Sequence, residues 1–71
     1  MTIKKAIQLE WEHLPETFGV FTLFLLVKNR LREFEKYPFD GTISRRLREL
    51  REEGKCVYKV IDSTKAIYRK L

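Results

Sequence analysis

Between residues 42 and 53 the chain reads Thr42-Ile43-Ser44-Arg45-Arg46-Leu47-Arg48-Glu49-Leu50-Arg51-Glu52-Glu53, which places the guanidinium groups of Arg45, Arg46 and Arg48 and two small hydroxyls together in its first half. An arginine side chain is a rigid fork of donors that fits phosphate oxygens and the acceptor edge of a guanine, and serine or threonine adds a short donor beside it. Such a set recognises anions; it breaks no bonds. A second reading stands next to it, because Arg45 with Glu49 and Arg48 with Glu52 are spaced i,i+4 and charge-laced helix faces of that kind are commonly just solvated. The order of the charges separates the two readings in part. Basic residues fill the first half of this segment and Glu49, Glu52 and Glu53 the second, against the helix dipole, which favours acids at the start and bases at the finish. Local stability does not explain that order, whereas a start that approaches phosphates does.

No other residues form a reactive set. His13 is the single histidine and Cys56 the single cysteine, too few for a structural zinc site, and no serine or carboxylate is spaced to work with either. Glu10 and Glu12 point to different faces of a helix and make no acid–base couple. Gly19, Gly41 and Gly54 are scattered, so there is no glycine-rich phosphate loop. The expectation is a protein that is not an enzyme and carries no cofactor and no metal.

A chain of 71 residues has room for one small domain spanning 1–71, with a core that barely sustains folding and gains from a partner. Its formal charge is +5, and the excess is local: residues 1–40 hold six basic and six acidic side chains, residues 41–71 nine and four. A clustered positive field attracts polyanions, whether nucleic acid or an anionic membrane surface. A membrane is disfavoured, because the most apolar run, 18–27, is about half of what a bilayer crossing needs and no helix pairs a basic face with exposed large apolar residues. One unpaired thiol and an N-terminus without an apolar signal core suggest the cytoplasm.

The elements that must position the arginines follow from periodicity and punctuation. Ile3, Ile7, Trp11 and Leu14 recur at helical spacing behind the cap candidate Thr2, which predicts a helix over about 3–13 ended by Pro15. Val20, Phe24, Val27, Leu31 and Phe34 predict a second helix over about 18–35 with Thr17 as its cap, although a run as apolar as 20–27 also reads as a buried strand. Asp40 caps a third helix over about 41–53, with Ile43, Leu47 and Leu50 inward and Gly54 as its stop. From 56 to 70, β-branched and aromatic residues around Asp62-Ser63-Thr64-Lys65 predict a hairpin. Cys56, Tyr58 and Val60 share one side of it, and register decides whether Ile67 or Tyr68 joins them. The fold class is mainly α with a C-terminal β-hairpin.

The segment Thr42-Ile43-Ser44-Arg45-Arg46-Leu47-Arg48-Glu49-Leu50-Arg51-Glu52-Glu53-Gly54, followed by Lys55 and the hairpin, resembles the recognition helix and wing of winged helix-turn-helix proteins over about the last 31 residues. The resemblance implies a double-stranded DNA-binding domain whose third helix enters the major groove while the wing rests on the neighbouring backbone. It implies groove contacts from Thr42, Ser44, Arg45 and Arg48, a phosphate contact from Arg46, and support from Lys55, Lys59, Ser63, Thr64 and Lys65. Small domains of this kind occur in transcriptional regulators and in phage or mobile-element proteins. Upstream the pattern departs from the family, which has a short helix and a glycine-containing turn before the recognition helix. The alternative is a non-enzymatic adaptor that presents the Phe-rich second helix to another protein. The same helix is the expected homodimer surface, through Phe18, Phe21 and Leu25. Tyr58 and Tyr68 are the aromatic residues placed to stack on a base, and packing on helix three is the competing use.

Overall fold

The computed structural model describes residues 1–32 and 39–71. Helix α1 spans Ile3–Trp11 and starts where its cap directs: the Thr2 hydroxyl accepts the Lys5 amide at 3.1 Å, satisfying one of the donors a helix start leaves open. It stops at Trp11, short of residue 13, and Glu12 and His13 form a turn. The Lys70 ammonium closes that end by donating to the carbonyls of Trp11, at 2.9 Å, and Leu14, at 2.7 Å.

The expected second helix begins later than residue 18. Thr17–Gly19 is a strand, β1, and Thr17 caps nothing; helix α2 spans Val20–Leu31, with Gly19 in extended conformation before it. The cause is Phe18. An extended backbone there turns its ring edge-on to Trp11, with centroids 5.2 Å apart, and to Tyr68 at 6.1 Å, contacts that a helical residue 18 would forgo. Residues 20–27 are helical, which removes the buried-strand alternative. The part of the expected helix from 33 to 35, with Phe34, lies outside the described residues.

Helix α3 spans Asp40–Glu52. Asp40 is its first residue instead of its cap. Phe39 precedes it in extended conformation, and the Asp40 carboxylate sits in the first turn, where the dipole favours a negative charge, and pairs with Lys28 of α2. The exit is at Gly54, whose φ of 76° is a left-handed value that costs glycine nothing.

Strands β2, Tyr58–Asp62, and β3, Ile67–Lys70, form the hairpin, and β1 adds to the far side of β3, giving an antiparallel sheet of order β1-β3-β2. Val60 lies opposite Tyr68 and Phe18 opposite Tyr68, so the register puts Tyr68, not Ile67, on the face of Tyr58. Three helices with a three-stranded sheet ending in a hairpin make a winged-helix-like layout. Ile7, Leu23, Val27, Leu31, Ile43, Leu47 and Leu50 are fully enclosed between the helices, each contributing about 1.5–3 kcal/mol by leaving water. Glu10, the buried acid, accepts from Arg30 Nε at 2.7 Å and ties α1 to α2.

Candidate nucleic-acid interface

Helix α3 buries Ile43, Leu47 and Leu50, and this inward stripe fixes what each remaining side chain can reach. On the opposite side stand Gly41, Arg45, Arg48 and Glu52, all exposed. Thr42 and Ser44 are half-buried and, two positions apart, flank the stripe on opposite sides. Of the four expected groove residues, the fold therefore places Arg45 and Arg48 outward together and Thr42 and Ser44 at the margins.

The arginines of α3 are used in two ways. Arg46, expected to meet a phosphate, turns toward α1 and grips Glu49, with one guanidinium nitrogen 2.7 and 3.1 Å from the two carboxylate oxygens. This i,i+3 pair replaces the expected i,i+4 pair of Arg45 with Glu49: both arginines neighbour Glu49 on the helix, and it is Arg46, on the side of α1, that holds it. Close by, Lys4 donates to Glu53 at 2.7 Å, and Lys55 reaches the other oxygen of Glu53 at 3.4 Å. These pairs show in the titration of the acids. The hydrogen bond from Arg46 holds the Glu49 carboxyl below the usual range, that from Lys4 does the same for Glu53, and the bond to Glu53 in turn raises Lys4. Two of the three late acids that oppose the α3 dipole, Glu49 and Glu53, are thus neutralised along the flank facing α1, while Glu52 stays unpaired on the outer side among the described residues. Arg46 and Lys55 are each paired with an acid of the same chain, although both side chains remain at the surface.

The other flank is uncompensated. Among the described residues no carboxylate lies within 4 Å of Arg45, Arg48 or Arg51, and the expected pair of Arg48 with Glu52 does not form. Spaced three apart, these guanidinium groups wind from the outer face toward the hairpin. There the Arg51 guanidinium lies over the Tyr58 ring, 4.6 Å from its centroid, a contact of about 0.5–2 kcal/mol. Tyr58 is only 4% exposed, stacks on Tyr68 with centroids 4.9 Å apart and planes within 3°, and meets Trp11 at 6.2 Å. Its ring is closed to any base, so the aromatic pair of the hairpin serves packing.

On the hairpin, Ser63, Thr64 and Lys65 occupy the exposed turn, whose shape is set by the Asp62 carboxylate accepting the Lys65 amide at 3.0 Å. Lys59 is exposed on the sheet face away from Tyr58, opposite Arg69. Two cations facing each other across a ladder disfavour the sheet slightly, and the nearest acid, Glu16, is 3.9 Å from Arg69. Arg51 and Arg69 were not singled out in the sequence; the i,i+3 step from Arg48 was the available signal for Arg51, whereas Arg69 needed the register.

Phe18 is 5% exposed and belongs to the core, which removes it from the expected dimer surface. Phe21 and Leu25 remain outward on α2, 63% and 59% exposed. A pocket of about 270 Å³ lined by Gln8, Trp11, Glu12, Lys55 and Cys56 contains no activated nucleophile, since burial pushes the Cys56 thiol up to about 11. No helix of the described residues is long and apolar enough to cross a membrane. The chain matches no protein-family model, no curated protein and no solved structure.

Proposed function

We propose that this chain is a double-stranded DNA-binding domain of the winged-helix type, a small transcriptional regulator or a phage or mobile-element protein working in the cytoplasm without enzymatic activity. In this reading α3 enters the major groove with Arg45 and Arg48 at base edges, Thr42 and Ser44 alongside, and the turn at Ser63, Thr64 and Lys65 with Lys59 against the backbone. The observation that carries it is the pairing pattern of α3: the flank facing α1 is neutralised, while Arg45 and Arg48 are exposed and lack carboxylates among the described residues. Stable folding alone gives no reason for that asymmetry.

The test is duplex binding followed by selection from random oligonucleotides at fixed salt. Neutralising four to six phosphates gives a slope of log K on log salt of about −4 to −5. Arg45→Ala should change the selected sequence, and Lys65→Ala should weaken all duplexes alike. Salt-insensitive or absent binding would reject the reading.

Exposed Phe21 and Leu25, one turn apart on α2, favour a second reading in which this helix meets another protein, either a partner or a second copy. Phe21→Ser with Leu25→Ser should then abolish association in sedimentation while leaving monomeric duplex affinity unchanged.

A further inference from the structure

At the junction of α3 and β2 one cation is held in a fixed pose without an anionic partner. Arg51 is exposed above Tyr58, and Tyr58 is buried against Tyr68 and Trp11, so the aromatic stack forms a floor and the guanidinium lies open above it. With its guanidinium carbon 4.6 Å from the ring centroid, Arg51 is anchored by the ring, which limits the rotamers it would otherwise lose on binding, while its five N–H donors exceed what the Tyr58 phenol can take and leave a pair for a two-pronged anion. Arg48 stands one turn earlier and adds its charge. The Tyr58 phenol feels both charges: burial and then Tyr68 push its titration up, while the charge and hydrogen bond of Arg51 and, more weakly, the charge of Arg48 pull it down. Like charges at i,i+3 on a helix repel, and among the described residues no carboxylate within 4 Å relieves this pair. A preset fork, a second cation beside it and no internal counterion are the parts of an oxyanion receptor.

We infer that Arg51, braced on Tyr58 and Tyr68 and reinforced by Arg48, binds a backbone phosphodiester at the junction of helix and hairpin. The site presupposes duplex binding and adds a contact between those of the helix face and the hairpin turn. It also assigns the stacked tyrosines, Tyr58 buried and Tyr68 half-buried, the task of setting the angle of that contact.

A labelled mixed-sequence duplex titrated at several salt concentrations reads this out, with thermal melts of the same proteins. Arg51→Gln should weaken binding roughly tenfold and reduce the size of the salt slope by about 0.9, equally for all sequences. Arg51→Lys keeps the charge and loses the planar fork, so it should keep the slope and bind more weakly. Tyr58→Phe, which preserves the aromatic floor, should retain both. If Arg51→Gln lowers only the melting temperature and leaves slope and affinity unchanged, Arg51 is a structural brace and the site is wrong. Should Arg51→Gln fold poorly, wild-type affinity in Arg51→Lys overturns the site by itself. Failure of the wild-type protein to bind duplex at any salt rejects the DNA reading and the site together.

Discussion

The two flanks of α3 contain the same residue type in opposite states. Toward α1, Arg46 is held by Glu49, and Glu53 is shared between Lys4 and Lys55. Toward the outside and the hairpin, Arg45, Arg48 and Arg51 meet no carboxylate among the described residues, and Arg51 rests on an aromatic ring instead. Ion pairs this exposed contribute little to stability, so the neutral flank is not what holds the fold. What the pairs do is remove charge from one side of the helix and leave it on the other. A count of basic residues therefore overstates the available interface, and geometry selects the arginines that are open.

The largest expected effect is on both flanks at once. Leu47 is fully enclosed, and Leu47→Ala should cost about 2–5 kcal/mol, comparable with the whole stability of a domain this small, so urea unfolding should show a chain close to its threshold. Next comes the replacement that separates the flanks. Arg45→Ala with Arg48→Ala should reduce duplex affinity by about 2–4 kcal/mol without lowering the melting temperature, and Arg46→Ala should leave affinity nearly unchanged. An Arg46 loss as large as the double variant's would erase the distinction. The corner joining helix to hairpin is third: Gly54→Ala forces a side chain into φ 76° and should destabilise by about 1 kcal/mol in thermal melts.

The smallest effect is one of pH. Glu49 and Glu53 have carboxyls depressed below the ordinary value of 4.5 by Arg46 and Lys4, so their stabilisation is present above that value and is lost as pH falls through the depressed folded values. The urea midpoint should hold steady from neutral pH to about 5 and then fall, and part of that fall should be missing in Lys4→Ala with Arg46→Ala.

Much of this arrangement was legible in the sequence. Thr2, Gly54 and the stripe Ile43, Leu47 and Leu50 each signal locally, through a cap, a left-handed stop and a helical period, and α1 and α3 follow within a residue or two of their expected bounds. Strand β1 did not, because three residues are too few for a period and its partner, Ile67–Arg69, is some fifty residues away. That one omission misplaced Phe18, which belongs under the sheet and not on a dimer surface. Within the candidate interface, Arg45, Arg48, Lys59 and the turn 63–65 were legible as exposed positions of regular elements. The capture of Arg46 and Lys55 by acids, and the laying of Arg51 on Tyr58, were not. Rotamer choice among neighbours at i+3 and i+4 depends on what α1 and the hairpin bring alongside.

The most direct measurement is a map of backbone amide shifts in isotope-labelled protein as duplex DNA is added at low salt. The expected result is perturbation centred on Thr42, Arg45, Arg48 and Arg51, continuing through Lys59 to Lys65, with the flank of Lys4, Arg46 and Glu49 quiet. Shifts confined to Phe21 and Leu25, or spread equally over both flanks of α3, would contradict it.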